Sequence, residues 1–89
     1  LLKQKLRRFS RGLEKLPLGR ARSGLRTMTP DGRFVVGADP LCSNFYWVAG
    51  LGGHGVTTCF SVGKLAAGVV LGKKVDADLK KALAPGRFA

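Results

Sequence analysis

Four glycines within six positions, Gly50, Gly52, Gly53 and Gly55, form the part of this sequence that is best suited to contact a cofactor. Three of them satisfy the spacing G-x-G-x-x-G between an aromatic, β-branched segment and a run of helix formers, which is the context of a dinucleotide-binding turn. Glycines let the main chain approach a planar or anionic group, and the first amides of the following helix point free donors at it. A sharp turn that binds nothing is the alternative, and the spacing alone does not decide between them.

The match to the dinucleotide fingerprint is incomplete. The fingerprint also requires a second parallel strand and an acidic residue about 20 positions further on. This chain instead continues with Val69 to Lys74 and has Asp76 in a polar tail. The pattern therefore argues against the first βα turn of a Rossmann domain, but the ligand-binding physics of a glycine turn before a helix still applies.

The other reactive side chains do not form a catalytic set. Cys42 and Cys59 are not a CxxC pair and have no His or Cys at metal-ligand spacing, so we expect two buried, reduced thiols and no metal. His54 lies within the glycine loop. It can face a bound ring and assist proton movement, or it can lie exposed at the tip of the loop, and we assign no catalytic base.

The chain is short and strongly basic. Its 89 residues make one domain at most, and its formal net charge of +11 makes nucleic acid or an anionic membrane a partner to consider. Nine of the sixteen basic residues lie in the first 26 positions, and no Lys or Arg lies between Phe34 and Gly63. The aromatic residues at 45–47 are therefore not interleaved with Arg or Lys, as a stacking platform for bases requires. This distribution disfavours nucleic-acid binding.

The segment from Asn44 to Gly63 carries no formal charge and approaches the length of a membrane span. Glycines in its middle and Lys64 directly after it argue against a span, because a lipid-facing charge is expensive. No signal peptide is present, so we expect a cytoplasmic location. Because the chain opens at Leu1 without a methionine, we expect it to be part of a longer polypeptide, although maturation would give the same start.

Hydrophobic spacing predicts an amphipathic helix at the start of the chain, which Pro17 ends. Its apolar stripe consists of Leu2, Leu6, Phe9, Leu13 and Leu16. A basic helix of this kind can lie on a membrane or enter a groove of an acidic partner, but more often it packs on its own protein.

A β-hairpin is predicted next. Its first arm, Leu25 to Thr29, carries Arg26 just ahead of a turn at Pro30 to Gly32, and Phe34 to Val36 form the second arm. After a loop, Phe45 to Ala49 form a strand that is apolar on both faces, as in a covered sheet.

A nearly buried helix is predicted to follow the glycine loop. Gly63, Ala67 and Gly68 would let this helix approach a sheet or a ligand closely. Gly72 ends it, and Asp76 or Asp78 can cap a last short helix.

Two blocks of this sequence, RSGLRTMTPDGRFVVGADP and FYWVAGLGGHGVTTCFSVGKLAAGVVLG, and the closing ALAPGRFA resemble one known family. They are similar to the C-terminal part of the FAD-dependent oxidoreductases of the D-amino acid oxidase family, the group with glycine oxidase and sarcosine oxidase. The resemblance covers about residues 20 to 89, and the first sixteen residues fit by position only. It implies an α+β fragment of a two-domain, Rossmann-like enzyme. Residues 1–43 would belong to the substrate-binding domain and residues 44–89 to the C-terminal part of the FAD-binding domain.

The resemblance also implies roles for individual residues. Arg26 aligns with the arginine of the family's G-L-R-P motif, which in amino acid oxidases binds the substrate carboxylate through a bidentate pair. A solvated arginine beside Arg20 and Arg22 is the alternative. The loop after β-strand 45–49 corresponds to the family's second flavin contact, where main-chain amides meet the pyrimidine side of the isoalloxazine ring. The helix starting near Val56 would aim its positive end there. The FAD-binding residues would be Leu51, Gly52, Gly53, His54, Gly55, Val56 and Thr57.

This sequence departs from the family pattern in ways that leave the substrate open. Glycine oxidase-like members carry a larger basic side chain where Gly53 stands, and proline is usual where Thr27 stands. The family's first βαβ unit is not among these residues, so the adenosine and pyrophosphate of FAD have no site in them.

The resemblance thus implies part of an enzyme that oxidises an amine or amino acid by hydride transfer to FAD. Its partner would be the remaining FAD-binding portion, on the same or a separate chain, and the isolated chain would be inactive. The alternative function is a basic binding module that uses the N-terminal helix on an acidic partner or nucleic acid.

Overall fold

The computed structural model describes residues 1–89, which form three α-helices and one antiparallel sheet of two strands. The small α+β class expected from the sequence is confirmed, whereas its place within a larger two-domain enzyme stays a prediction. The division at residue 43, which falls in the loop between the two strands, also stays a prediction. In chain order the elements are α1 (Leu2–Phe9), β1 (Val35–Ala38), β2 (Tyr46–Ala49), α2 (Gly55–Val70) and α3 (Ala77–Leu83), with 3₁₀ turns at Leu13–Lys15 and Pro85–Phe88.

The N-terminal helix is shorter than its apolar stripe predicts. It ends at Phe9, because Ser10 takes up extended backbone with φ −162° and its hydroxyl accepts a hydrogen bond from the Gly12 amide at 3.3 Å. Serine competes with the helix in this way, and glycine has a poor helix propensity. The stripe therefore continues only into a short 3₁₀ turn, and α1 buries none of its residues.

The hairpin predicted around Pro30 is wrong in its pairing. β1 pairs with β2, in the register Val35↔Ala49 to Ala38↔Tyr46, and residues 17–29 contain no strand. The predicted turn itself forms, with Gly32 at φ +71° and its amide donating to the Thr29 carbonyl at 3.1 Å. The aromatic and β-branched residues of β2 have the higher strand propensity, which explains why β1 pairs there and not with the imperfectly alternating segment before the turn.

A small core lies between β1 and one side of α2. Its centre is Val36, which is 1% exposed, packed against Val62 and Leu65. The residues that α2 buries recur every three positions, at Val62, Leu65 and Gly68, so one side of the helix faces β1. Partly buried apolar residues surround this centre, among them Phe34, Leu51, Val69, Val75 and Leu83.

Three predictions of burial are wrong for this chain. The far side of α2 is exposed, with Val56 at 91% and Phe60 at 83%. β2 is exposed at three of its four residues, and both cysteines, Cys42 and Cys59, are exposed thiols. The reason is that α2, α3 and the 3₁₀ turn Pro85–Phe88 all pack on β1, which is buried at three of its four residues, and leave β2 and the far side of α2 uncovered.

The ends of the last two helices follow local rules. Gly72, at φ +65°, ends α2. The Lys73 amide donates to the Gly68 carbonyl at 2.8 Å, and the Gly72 amide donates to the Val69 carbonyl at 3.3 Å. These two hydrogen bonds form a Schellman motif. Asp76 caps α3 by accepting a hydrogen bond from the Leu79 amide at 2.8 Å, as predicted. Even α2, with 16 residues, is not long and apolar enough to cross a membrane, and neither is any other helix. The cytoplasmic location stays a prediction.

Candidate functional site

Two segments that are far apart in the sequence lie side by side. We call residues 26–29 the arginine segment and residues 50–53 the glycine segment. The Gly52 amide donates a hydrogen bond to the Thr27 carbonyl at 3.0 Å, which joins their main chains although neither is a regular strand there. Because the turn after Thr29 leads directly into β1, and β2 leads into the glycine segment, the sheet brings the two segments together.

The glycines of the glycine segment make room for this contact. A Cβ added at Gly50 would lie 2.6 Å from the Thr29 methyl, and one at Gly52 would lie 2.8 Å from the Met28 sulfur. Both glycines also have positive φ, at +68° and +54°, a region that other L-residues rarely adopt. The glycine density thus serves the packing of the arginine segment, an explanation that the dinucleotide-like spacing did not suggest.

Gly53 is where Arg26 lies against the loop. A Cβ at Gly53 would collide with Nη1 of Arg26 and would lie 3.2 Å from its Cζ. The guanidinium therefore occupies the space into which any side chain at position 53 would project. A larger residue here, as the resemblance expects in glycine oxidase-like enzymes, would exclude Arg26 from this place.

The Arg26 guanidinium has no carboxylate partner within the chain. The two ion pairs of the structure are Arg7 with Glu14 and Arg87 with Asp31. Arg26 is exposed and borders an open cleft of about 320 Å³ that residues 25–27 and 48–52 line. A planar guanidinium with free N–H groups suits bidentate binding of a carboxylate.

The N-terminus of α2, which follows the glycine segment in the chain, offers further donors. His54 occupies the N-cap position, no side chain caps the helix, and its first turn holds no acidic residue. The first intrahelical bond is made by Thr58, whose amide donates to the His54 carbonyl at 3.0 Å, so the amides of Gly55, Val56 and Thr57 have no acceptor within the helix. This end of a 16-residue helix carries partial positive charge and can bind an electron-rich oxygen or nitrogen.

His54 itself has few partners. Its side chain is exposed and meets the edge of the Phe34 ring, with 6.5 Å between ring centroids. No carboxylate hydrogen-bonds to it, and the Thr58 hydroxyl donates only to its main-chain carbonyl, at 2.6 Å. The surroundings of His54 therefore give no reason to assign it as a catalytic base.

Sequence reasoning missed an ion pair that holds the turn before β1. Asp31 accepts hydrogen bonds from Nε of Arg87 at 2.8 Å and from Nη2 at 3.1 Å. This bidentate pair holds the pKa of the Asp31 carboxyl well below its usual range. The sequence signal was limited to an acid in a turn and an arginine in the closing block, 56 positions away.

A second carboxylate organises the loop between β1 and β2. Asp39 accepts hydrogen bonds from the indole of Trp47 at 2.8 Å and from the amides of Leu41 and Cys42 at 2.8 and 2.7 Å. These donors lower the pKa of Asp39. The hydrogen bond to Trp47 thereby ties the indole of β2 to this loop.

Comparison with known proteins agrees with the resemblance. Residues 1–69 match the family model described as FAD dependent oxidoreductase, or DAO. Over 67 residues the chain is 42% identical to a D-amino acid dehydrogenase of Allorhizobium ampelinum. This alignment covers 75% of the chain but 15% of that relative, so the chain spans a small part of the relative's length. No solved structure matches the chain. Two finer points stay predictions, namely the glycine oxidase or sarcosine oxidase subtype and the C-terminal position. The family model matches most of this chain, which shows that the chain belongs to the family of FAD-dependent oxidoreductases.

Proposed function

We propose that this chain supplies a substrate-binding arginine and a flavin-facing loop to an FAD-dependent enzyme that oxidises an amino acid or amine. The contact between the Arg26 guanidinium and Gly53 carries the proposal. It places the residue that the family resemblance assigns to the substrate directly beside the loop that the resemblance assigns to the flavin. Oxidation by hydride transfer requires that closeness, because substrate carbon and flavin must meet.

The residues of this chain fit one edge of FAD. The uncapped N-terminus of α2 presents the amides of Gly55, Val56 and Thr57, which have no acceptor within the helix, and such donors suit the pyrimidine side of an isoalloxazine ring. When bound, FAD supplies the hydride acceptor. Its adenosine and pyrophosphate would be held by the remaining FAD-binding portion, on the same or a separate chain, which we propose as the partner. The residues proposed to contact the ring are Leu51, Gly52, Gly53, His54, Gly55, Val56 and Thr57.

Arg26 would act by binding and orienting the substrate. A bidentate pair with its guanidinium would fix both the position and the plane of a carboxylate. Hydrogen bonds to charged groups contribute about 1.5–3 kcal/mol each, which corresponds to about a 10- to 150-fold effect on binding. The helix N-terminus would add about 0.3–1 kcal/mol for negative charge near its first turn.

The substrate class is proposed from two supports. The relative from Allorhizobium ampelinum is named a D-amino acid dehydrogenase. A free guanidinium beside the cleft favours a substrate with a carboxylate over a simple amine. The alternative function, a basic module for an acidic partner or nucleic acid, receives no support from the related proteins.

The proposal is tested in the complete enzyme that contains this chain by replacing Arg26. We expect Arg26→Ala to raise KM for D-amino acids by at least about 10-fold, because even one lost charge-assisted hydrogen bond has that effect, and to leave the flavin content unchanged. Arg22→Ala is the matched control, because it removes an exposed arginine of the same region. A KM that Arg26→Ala does not change would refute the role of Arg26 and with it the proposed function.

A further inference from the structure

The ion pair between Asp31 and Arg87 is the best-defined polar cluster of the chain, and nothing in the proposed function uses it. Arg87 contributes three nitrogens. Nε and Nη2 bind the two carboxylate oxygens of Asp31, Nη2 also donates to the Arg33 carbonyl at 3.1 Å, and Nη1 donates to the Ala84 carbonyl at 3.1 Å. The Arg87 side chain is only 15% exposed. Arg87 lies beyond residues 1–69, which match the family model.

A short chain of contacts leads from this pair to the arginine segment. The Thr29 hydroxyl donates to the Arg33 carbonyl at 2.6 Å and lies 3.0 Å from the Asp31 carboxylate. Thr29 is the last residue of the arginine segment, which begins with Arg26, and its methyl group faces Gly50 of the glycine segment. The turn is therefore fixed on one side by Arg87 and on the other by the glycine segment.

The other end of the pair is also held firmly. Arg87 belongs to the 3₁₀ turn Pro85–Phe88, and its guanidinium lies 4.2 Å from the centroid of the Phe88 ring. Pro85 packs on β1, with its Cδ 3.1 Å from a Cβ added at Gly37. The end of the chain thus forms a brace between β1 and the turn that precedes it.

We infer that the Asp31–Arg87 pair is a positioning device, which holds the arginine segment so that Arg26 meets the substrate carboxylate. This inference rests on the proposed function of Arg26. Residues 17–29 lack regular secondary structure, so neither a helix nor a strand fixes the direction of the arginine segment. Its position depends on the bond between Thr27 and Gly52 and on the turn that Arg87 braces.

The test compares Arg87→Ala and Arg87→Lys in the complete enzyme, each with and without Arg26→Ala. With Arg26 present, we expect Arg87→Ala to raise KM for a D-amino acid about tenfold with a smaller change in kcat. We expect Arg87→Lys to recover part of that loss, since one of the two bonds to Asp31 can re-form. With Arg26 replaced by alanine, Arg87→Ala should raise KM no further, because the group that it positions is gone.

Arg7→Ala is the matched control, because it breaks the other ion pair of the chain, at 3.6 Å, and should leave KM unchanged. If Arg87→Ala does not fold, Arg87→Lys and Asp31→Asn carry the same comparison. A melting temperature that falls while KM stays constant would show a purely structural pair and overturn the inference. Equal rises in KM with and without Arg26 would overturn it too. If Arg26→Ala changes KM and the Arg87 variants do not, only this inference fails; if Arg26→Ala has no effect, the proposed function fails as well.

Discussion

A single methyl group added to the glycine segment should weaken substrate binding without weakening the fold. In Gly53→Ala the new Cβ would overlap Nη1 of Arg26 and lie 3.2 Å from its Cζ. The backbone of Gly53 is outside the positive-φ region, so alanine fits the main chain. The Arg26 side chain is exposed and flexible, so the guanidinium can move away by about the 1 Å needed to restore an ordinary carbon contact of about 3.5–4 Å.

The size of the effect follows from the bonds that move. A displacement of this size breaks the geometry of at least one bond in a bidentate pair, and a hydrogen bond to a charged group contributes about 1.5–3 kcal/mol. We therefore expect kcat/KM for a D-amino acid to fall about 10- to 150-fold. Stability should stay constant or rise by about 0.4–1 kcal/mol, because alanine restricts the unfolded chain more than glycine does.

The assay is a double-mutant cycle on kcat/KM in the complete enzyme, with Gly53→Ala and Arg26→Ala measured singly and together. If Arg26 mediates the effect, Gly53→Ala should add nothing once Arg26 is alanine. Gly63→Ala serves as the control, because it adds the same methyl group on α2 with no other atom within 4 Å. The reasoning is refuted if the two changes are additive, since the methyl group would then act on something other than Arg26.

Three further predictions concern the chain itself. Purified alone, the chain should be colourless, because the resemblance predicts no site for the adenosine and pyrophosphate of FAD among its residues; stoichiometric flavin absorbance on it would contradict this. Asp31→Asn should lower the free energy of unfolding at neutral pH. The difference in this free energy between variant and wild type should shrink as the pH falls below about 4, because a carboxyl with a lowered pKa loses its stabilising contribution on acidification. A difference in unfolding free energy that grows in acid would contradict the role of the ion pair. Asp76→Ala should lower stability by about 1 kcal/mol in thermal unfolding through loss of the α3 cap, whereas Asp78→Ala, inside the first turn, should cost less; equal losses would argue against the cap.

Local features of the fold could be predicted from the sequence because short-range rules decide them. Gly72 ends α2 and Asp76 caps α3, since a glycine that accepts positive φ and a carboxylate that accepts an amide bond act within one turn of a helix. The turn at Pro30 to Gly32 follows from the same kind of local chemistry.

Features that depend on distant partners could not be predicted. Two segments compete to pair with β1, namely the segment Leu25 to Thr29 and β2. The local alternation of apolar and polar residues does not indicate which of the two pairs with β1. Burial of β2, Cys42 and Cys59 was inferred from composition, although burial depends on which other elements cover a surface. The bond between Asp31 and Arg87 joins positions 56 apart, and neither residue's neighbours indicate the other.

The candidate site was predictable in its parts and not in its geometry. Arg26 and the loop from Leu51 to Thr57 came from the family resemblance, and the structure adds that the glycine segment receives the side chains of the arginine segment. The three contacts between these segments, Thr29 with Gly50, Met28 with Gly52 and Arg26 with Gly53, arise because the sheet folds the chain back on itself. No spacing in the sequence encodes them.

The most direct test of the central claim, that Arg26 holds a carboxylate beside the flavin, is a titration of the complete, FAD-loaded enzyme with a simple carboxylate such as propionate, followed by the visible absorbance of the flavin. The wild-type enzyme should give a spectral shift that saturates with carboxylate concentration, and Arg22→Ala should give the same shift with the same midpoint concentration. In Arg26→Ala the midpoint should lie at a carboxylate concentration at least about 10-fold higher, as expected for the loss of a hydrogen bond to a charged group. An unchanged midpoint in Arg26→Ala would contradict the account.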